Sequence, residues 1–360
     1  MLRPFCQGLF STYLRRSQPC LIRRRFLVTT PTHRPMAFYS LAPLTKQRVM
    51  QLKHSMEKNL NALGVLGRIY LAPDEGIGGI NCQMSVPLAR MDQVKNYFKS
   101  LESDFGKIEY TQGMEDTARP SFEKLRILTK KNLVATKHDI KSNELLNQPE
   151  YLTPEQWHKE LKEKKEKAFL IDMRNQYEYN LGHFMNAIKM KVDTFRDGVY
   201  LLDELVENRD KEDDIYMYCT GGIRCSVVGP YLKNKGYQHV KMLKGGISAY
   251  GEYIKNQKEH SLFKGKNFVF DSRRIESITD DVLAKCFQCG SVCDHLVNCE
   301  NNLCHLLFVQ CDQCKSKKST CSSHCQNVIQ GIEEYKYDYD YHKQVQGVQS
   351  NGDHEPITFI

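Results

Sequence analysis

Short apolar runs alternate with stretches of helical spacing in the middle of the chain. The apolar runs of strand length are residues 168–172, 215–218 and 240–243. Thr153 followed by Pro154 is typical of a helix start, because threonine is a favoured N-cap and proline fits the first helical position. Buried strands that alternate with helices predict a parallel, doubly wound α/β sheet over residues 153–260.

A smaller α/β unit is predicted before this sheet, over residues 37–137. Its predicted strands are residues 67–72, 82–86, 108–110 and 125–128. Residues 91–101 carry apolar side chains at helical spacing, so the order is close to β-α-β-β, which favours a ferredoxin-like sandwich. Residues 138–152 are polar and lack periodicity, which indicates a linker between the two units.

A cysteine follows the predicted strand 215–218, in a glycine-containing turn before the helix predicted over residues 226–232. The turn reads Cys219-Thr220-Gly221-Gly222-Ile223-Arg224-Cys225. Backbone N–H groups at such a turn point towards one place, and the helix N-terminus adds positive potential. Both effects, and a nearby arginine, lower the pKa of a thiol, and the thiolate is the nucleophilic form. We therefore predict Cys219 as the nucleophile and Arg224 as its anion partner.

The same turn leaves two alternatives open. Cys219 could instead be a buried structural cysteine, since free thiols are often buried, but its loop position and Arg224 favour the nucleophile. Cys225 is either a resolving thiol or simply the first-turn residue of the helix. The turn between Cys219 and Arg224 is tighter than the loop that a cysteine phosphatase wraps around phosphate, which favours a smaller group such as a persulfide sulfur.

Nine of the 14 cysteines lie in the last part of the chain, within the region 265–328. No secretory signal is apparent, so this clustering favours metal binding over disulfides. Two C-x2-C pairs have zinc-ribbon spacing and predict one structural zinc site: Cys286, Cys289, Cys311 and Cys314. A second site would draw on four of five further cysteines, and the spacing leaves the choice open: Cys293, Cys299, Cys304, Cys321 and Cys325. An iron–sulfur cluster is the alternative occupant, and it would colour the protein. The polar residues 329–360 are predicted to be a disordered tail.

Composition and charge narrow the class of protein. Hydrophobic residues make up 41% and charged residues 26% of the chain, as in ordinary globular proteins, and no apolar run is long enough for a membrane span. The net charge is +8, but residues 1–35 contain seven arginines and no Asp, Glu or Lys, so the remainder is nearly neutral. The pI is therefore poor evidence for RNA binding.

The first 35 residues have a composition of their own. They are rich in arginine and hydroxyl-bearing residues and free of acids, which is typical of an organellar transit peptide. A mitochondrial location is therefore predicted. A disordered leader of a cytoplasmic protein, or translation that begins at Met36, is the alternative.

Two motifs flank the cysteine turn and carry a resemblance. Leu170-Ile171-Asp172-Met173-Arg174 with Gly182-His183-Phe184 resembles the entry motif of the rhodanese superfamily, and Leu243-Lys244-Gly245-Gly246-Ile247 resembles its closing motif. Together with Asp193-Thr194-Phe195-Arg196, the turn is similar to that of the rhodanese-containing tRNA uridine hydroxylases. That family also has an N-terminal ferredoxin-like domain and a C-terminal cysteine-rich segment, in the same order.

The resemblance implies an activity. It implies oxygen-dependent hydroxylation of the wobble uridine of tRNA to 5-hydroxyuridine, with Cys219 as the essential thiol and Arg224 as the anion contact. Cys225 matches a second cysteine of the motif, for which the resemblance implies no role. The alternative is a sulfurtransferase, in which Cys219 takes sulfane sulfur from thiosulfate or a persulfide and passes it to an acceptor thiol. A catalytically silent scaffold is the third class.

Other residues near the motifs are assigned mainly structural roles. Asp172 and Arg174 are predicted to pair at the strand end, and His183 to pack and hydrogen-bond at a helix start. Residues 71–81 form a glycine-rich turn with more residues than the family pattern, which would alter substrate choice if it touches RNA. Pro230 predicts that the helix after the cysteine turn starts late or kinks.

Overall fold

The computed structural model describes residues 30–138, 140, 142–192 and 195–337. The described residues from Pro31 onward belong to one compact unit. Most of the predicted leader lies outside the described residues, as do Asp193, Thr194 and residues 338–360 of the predicted tail. The first strand begins at His33, so residues 33–35 of the predicted leader belong to a sheet.

The N-terminal domain is a five-stranded sheet with three helices, of which α3 is a single turn. Its elements are β1 His33–Leu41, α1 Lys46–Ala62, β2 Leu66–Ala72, β3 Gly79–Pro87, α2 Met91–Lys99, α3 Glu102–Phe105, β4 Thr111–Gln112 and β5 Leu125–Thr129. The strand order is β4-β1-β3-β2-β5, in which the first three pairings are antiparallel and β5 is added parallel to β2. This is the predicted ferredoxin-like arrangement with one additional edge strand.

Two elements of this domain escaped the sequence analysis, and one was misplaced. Neither β1 nor α1 was predicted, although α1 buries Val49, Leu52, Met56 and Leu60 at helical spacing. The strand predicted over residues 108–110 is misplaced, because the strand in this part of the chain is β4, Thr111–Gln112, which pairs with β1.

The central domain is the predicted parallel α/β sheet. Its elements are β6 Glu150–Leu152, α4 Pro154–Lys164, β7 Phe169–Asp172, α5 Gln176–Leu181, β8 Gly182–Phe184, β9 Ile188–Lys189, α6 Phe195–Val206, β10 Ile215–Tyr218, α7 Cys225–Asn234, β11 Val240–Leu243 and α8 Gly246–Gln257. The order is β6-β11-β10-β7-β9 and every pairing is parallel. Apolar clusters pack against both faces of the sheet, as in a doubly wound fold. The predicted N-cap Thr153 forms a capping box with Gln156.

Two details of this domain differ from prediction. The last residues of the predicted linker form β6 and belong to the sheet edge. The helix that contains Pro230 starts at Cys225, so it does not start late. Pro230 has no N–H for the carbonyl of Ser226, and Nε2 of Gln148 donates to that oxygen instead, at 3.1 Å.

The N-terminal domain completes the core of the central domain. Ala72, Ile77, Leu133 and Val134 lie in the same apolar cluster as the strands and helices around β10. Ile77 is 1% exposed, and its N–H donates to Oδ1 of Asn132 at 2.9 Å. Within the turn 71–81, the exposed residues are Asp74 and Glu75, and residues 79–81 already belong to β3, so the turn is mainly a packing element.

The C-terminal segment is joined to the central domain through a strand. Its elements are β12 Phe263–Phe268, β13 Ile275–Ser277, β14 Leu296–Asn298, β15 Leu307–Val309, α9 Asp312–Lys315 and α10 Ser323–Ile329. Strand β12 pairs with β8 of the central domain and with β13.

The beginning of the predicted tail lies on the surface and makes a few contacts, with Tyr335 half-buried. The N–H of Ile332 donates to the carbonyl of Asn327 at 2.9 Å, and the Tyr335 ring stacks on His324. Disorder of the tail stays a prediction, and residues 338–360 lie outside the described part of the chain. None of the helices among the described residues is long and apolar enough to cross a membrane.

Candidate functional site

The cysteine turn is held by contacts with the start of α8. The N–H of Ile247 donates to the carbonyl of Cys219 at 3.1 Å, and the N–H of Ser248 donates to that of Thr220 at 3.2 Å. Gly246 has a φ of +63°, and a Cβ there would lie 2.5 Å from the Cys219 carbonyl oxygen, so only glycine allows this approach. The closing motif thus fixes the backbone from which the thiol projects.

The thiol of Cys219 meets backbone N–H groups and a cation. The N–H of Gly222 donates to Sγ at 3.1 Å. Burial would raise the pKa of Cys219, but the hydrogen bond with Cys225, the charge of Arg224 and the backbone N–H groups of the turn outweigh it and lower the pKa to about 6. The sulfur is therefore mostly thiolate at neutral pH, as the sequence predicts.

Arg224 is held by a buried carboxylate. Its Nη1 lies 2.9 Å from Oε2 of Glu178, and its Nη2 donates to Oε1 at 3.1 Å. Glu178 is fully buried, and it also accepts from the N–H of Asn175 and from Oγ1 of Thr220. Burial lowers the pKa of Arg224, but Glu178 and Cys219 raise it by more, so the guanidinium stays charged. The guanidinium is thus a fixed cation whose charge acts on the Cys219 sulfur, and its role as anion partner stays a prediction.

Cys225 is buried next to Cys219 and is also the first residue of α7. Burial and the hydrogen bond with Cys219 raise the pKa of Cys225 well above its usual value, so it stays a thiol. The two cysteines therefore form a thiolate–thiol pair. Both readings of Cys225 stay open.

Cys219 is 1% exposed, but it lies on the wall of a cavity of about 790 Å³. The cavity has the volume of a small-molecule or nucleotide site. All three parts of the chain contribute to its walls: the N-terminal sheet, the cysteine turn with the start of α6, and the segment between β12 and β13. Among the lining residues are Tyr39, Arg68, Tyr70, Asn81, Gln83, Arg196, Phe270 and Arg273.

Several of these residues were missed by the sequence analysis. Tyr39 lies on the unpredicted β1, and its hydroxyl is so close to the turn that a Cβ on Gly222 would lie 2.9 Å away. Phe270 packs against Arg224, with the guanidinium carbon 5.6 Å from the centre of the Phe270 ring. One sequence signal for the cavity was available. Asn81 and Gln83 alternate with buried residues on β3, and amide side chains on the strand face away from the core need a hydrogen-bond partner.

The residues predicted to be structural are packed and hydrogen-bonded, but His183 lies in β8, after the end of α5, and not at a helix start. Nη2 of Arg174 lies 2.6 Å from Oδ2 of Asp172, and both side chains are fully buried. His183 stacks on Tyr179 with ring centres 3.9 Å apart, and its Nδ1 lies 2.9 Å from the carbonyl of the same tyrosine. Asp172, Arg174 and His183 are not among the residues that line the cavity.

The cysteine-rich segment contains two groups of four sulfurs, each within 4.8 Å of one another. The first is the predicted set Cys286, Cys289, Cys311 and Cys314. The second is Cys299, Cys304, Cys321 and Cys325, which excludes Cys293 from the candidates. Cys293 packs instead beside an apolar cluster.

The distances between these sulfurs fit a tetrahedral metal ion. The sulfurs of Cys289 and Cys311 are 3.6 Å apart, and Cys321 lies 3.7 Å from both Cys304 and Cys325. With zinc–sulfur bonds of about 2.3 Å, adjacent ligands of a tetrahedron are about 3.8 Å apart. Either group can therefore hold a metal ion with four sulfur ligands.

Three family descriptions match successive parts of the chain. They are a UPF0176 acylphosphatase-like domain at residues 33–133, a rhodanese-like domain at 153–253 and a rhodanese C-terminal segment at 264–326. Their order follows the three parts that line the cavity.

Curated relatives match most of the chain. A tRNA uridine(34) hydroxylase of Leptospira interrogans is 37% identical over 310 residues, which is 86% of this chain and 82% of the relative. A tRNA uridine(34) hydroxylase of Yersinia pestis is 37% identical over 309 residues, or 86% of this chain and 84% of the relative. Among solved structures, a rhodanese-like domain from Anabaena is 26% identical and covers 33% of this chain and 80% of that one. Its TM-score of 0.26 is too low to carry an argument.

Proposed function

The chain belongs to the tRNA uridine(34) hydroxylase family, and on that basis we propose that it hydroxylates the wobble uridine of tRNA to 5-hydroxyuridine, with Cys219 as the essential thiol. Molecular oxygen is the proposed source of the hydroxyl oxygen. The observation that supports the proposal most is the Cys219 thiolate on the wall of a nucleotide-sized cavity.

The thiolate has a chemical task in this reaction. Addition of the Cys219 sulfur to C6 of a uracil ring would make C5 an enolate carbon, which can attack an electrophilic oxygen. The C5–O bond forms as the O–O bond of two-electron-reduced oxygen breaks, and loss of the C5 proton then expels the thiolate. Each turnover consumes one O2, two electrons and two protons and releases one water. The reaction therefore requires an external electron donor.

Binding of tRNA would require cationic side chains near the opening of the cavity, because the phosphates of its backbone are negatively charged. Arg196 is exposed on the cavity wall, and no ion pair holds its guanidinium among the described residues. It is our candidate for a phosphate contact. Lys130 lies over the Tyr70 ring, 5.0 Å from its centre, and brings a second cation to the same side. The contacts with phosphate make binding salt-dependent.

The metal sites have a structural role in this proposal. Both groups of four cysteines would hold zinc with every coordination position filled by a thiolate, which is the closed form of a structural site. Bound zinc would stabilise the segment that supplies Phe270 and Arg273 to the cavity. Metal analysis should give two zinc ions per chain and a colourless protein, whereas a brown protein that contains iron would overturn this assignment.

A sulfurtransferase is the second candidate function. The rhodanese-like match and the N–H of Gly222 on the Cys219 sulfur favour it, because amides that cradle a thiolate also suit a persulfide. Thiosulfate or a persulfide would donate the sulfur, and a thiol would accept it.

Nucleoside analysis separates the two functions. We expect tRNA from cells that lack the protein to lose 5-hydroxyuridine derivatives by mass spectrometry, and the wild-type chain to restore them. An unchanged nucleoside profile together with thiosulfate:cyanide activity would instead establish the sulfurtransferase. Absence of both would leave the scaffold alternative.

The mitochondrial location stays a prediction based on the composition of residues 1–35. The relatives from Leptospira and Yersinia are bacterial and do not support it. Imaging of the full chain and of a chain that starts at Met36, each with a C-terminal fluorescent tag, tests it. Mitochondrial signal from the full chain alone would support the prediction, and the same signal pattern from both would contradict it.

A further inference from the structure

The N-terminal sheet has two unlike faces. Met36, Phe38, Ile69, Cys82 and Met84 point into its own apolar core. Successive side chains of a strand point to opposite faces, so the residues between them lie on the other face. That face carries Ala37, Tyr39, Arg68, Tyr70, Asn81 and Gln83, and all six line the cavity that contains Cys219.

The strand register arranges these residues in two rows. Tyr39 of β1 and Tyr70 of β2 both pair with Asn81 of β3, which lies between them. Arg68 lies beside Gln83 in the next row. A carboxamide between two aromatic rings offers a stacking surface and a hydrogen-bonding group at neighbouring positions. These are the two groups with which a protein sheet recognises an unstacked RNA base.

We propose that this face of the N-terminal sheet is a base-reading surface that receives the wobble uracil and presents it to Cys219. The inference rests on the proposed hydroxylase function and names the residues that select its substrate. Tyr39 and Tyr70 supply the stacking surface, and Asn81 and Gln83 supply the hydrogen bonds to the base edge. Tyr39 also touches the cysteine turn, so the base-reading surface and the thiol belong to one cavity.

One contact gives the surface a direction. Nη2 of Arg68 donates to Oε1 of Gln83 at 3.2 Å and to the carbonyl of Phe270 at 2.9 Å. The Gln83 carbonyl is therefore occupied, and no other described residue hydrogen-bonds its Nε2 or the side chain of Asn81. With its orientation fixed by Arg68, Gln83 offers an N–H donor to the ligand. A donor at this place matches a carbonyl oxygen of uracil and opposes the amino group of cytosine.

The first test measures stacking. The full chain with Cys219→Ser is titrated with a fluorescent anticodon stem-loop that has uridine at the wobble position. The same titration is then done with the double variant that carries Cys219→Ser and Tyr70→Ala. We expect the Kd to rise at least about fivefold, the lower end for loss of one base–aromatic stack, and Tyr70→Phe to bind as the parent does. Tyr253→Ala, a tyrosine outside the cavity, is the matched control. Equal affinities for Tyr70→Ala and its parent would overturn the inference.

The second test measures base choice. Gln83→Glu replaces the donor by an acceptor, so we expect the preference of the Cys219→Ser chain for uridine over cytidine at the wobble position to fall about tenfold or more. Gln83→Ala should weaken binding of both stem-loops more evenly. Unchanged preference in Gln83→Glu would overturn the role of Gln83. Thermal melting of each variant shows whether it is folded.

A third measurement needs no substitution in the chain. A stem-loop with 5-bromouridine at the wobble position is irradiated with the wild-type protein, and the crosslinked peptide is identified by mass spectrometry. A crosslink to the peptide with Tyr39 or Tyr70 supports the inference, and a crosslink confined to the cysteine-rich segment overturns it. These binding tests do not depend on turnover. A chain that fails to form 5-hydroxyuridine but still prefers uridine would therefore overturn the proposed reaction and keep the base-reading surface.

Discussion

The chain uses cysteine in two regions in opposite ways. In the turn after β10, the sulfur of Cys219 is met by a backbone N–H and the charge of Arg224, on the wall of a cavity. In the C-terminal segment, the cysteine sulfurs lie close to one another in two groups of four. The residue type is the same, and the partners decide the chemistry. Dipoles and a single cation leave a thiolate available to react, whereas a complete set of sulfurs prepares a closed metal site.

The sharpest way to test this contrast is to remove the lone reactive sulfur. Cys219→Ser should lower 5-hydroxyuridine formation by about three orders of magnitude or more, because a hydroxyl is not ionised at neutral pH. Zinc content and the melting temperature should stay close to those of the wild type. Nucleoside mass spectrometry and metal analysis measure both. Substantial activity in Cys219→Ser would remove this thiol from the reaction.

The converse change breaks a sulfur group. Cys321→Ser leaves three ligands in the second group, so we expect loss of one zinc ion per chain and a destabilisation of several kcal/mol, since structural zinc contributes on the order of 10 kcal/mol to small domains. Chelator-dependent unfolding and metal analysis measure these effects. Cys293→Ser is the matched control, because Cys293 lies outside both groups. A loss of zinc in Cys293→Ser would contradict the grouping.

A change in the partners of the reactive sulfur should have a smaller effect. Glu178→Gln keeps the shape of the side chain but leaves the buried Arg224 without its carboxylate, at a cost of about 3 kcal/mol in unfolding free energy. We expect kcat to fall about tenfold as the guanidinium shifts away from the sulfur. Glu160→Gln, at an ion pair outside the cavity, serves as the control. Wild-type kcat in Glu178→Gln would show that Arg224 does not need this anchor.

The smallest effect is a pH dependence. With the pKa of Cys219 at about 6, the thiolate fraction rises between pH 5 and 7, and the rate of alkylation at this cysteine should rise with it and level off above pH 7. Arg224→Gln removes a charge that lowers this pKa, so its inflection should move to higher pH. Mass spectrometry of iodoacetamide-treated protein follows Cys219 alone. An inflection near pH 9 in the wild type would contradict the contrast between the two regions.

Local sequence was sufficient for the parts of the site that are local. The strand, the glycines, Arg224 and Cys219 occur within a few residues, and the parallel sheet follows from its apolar runs. The first group of four cysteines was predictable because C-x2-C spacing brings two sulfurs close together on one turn. Cys293 was wrongly kept among the candidates, because spacing alone does not show which way a side chain points.

The cavity could not be predicted, because its walls come from distant parts of the chain. Tyr39, Arg68 and Phe270 meet only after β1 and β2 have formed a sheet and β12 has joined β8. Glu178 anchors Arg224 through a contact across 46 positions of the chain. Such roles are properties of the tertiary structure, and no local pattern carries them.

The shared apolar cluster around Ile77 and Leu133 limits how this protein can be dissected. A fragment that begins at residue 150 would uncover the surface of the central sheet that these side chains normally shield from water. Removal of the first 135 residues would thus damage the rhodanese-like part itself. The dependence runs in one direction: the N-terminal sheet has a separate apolar core of its own, whereas the central domain borrows part of its interior from the chain that precedes it.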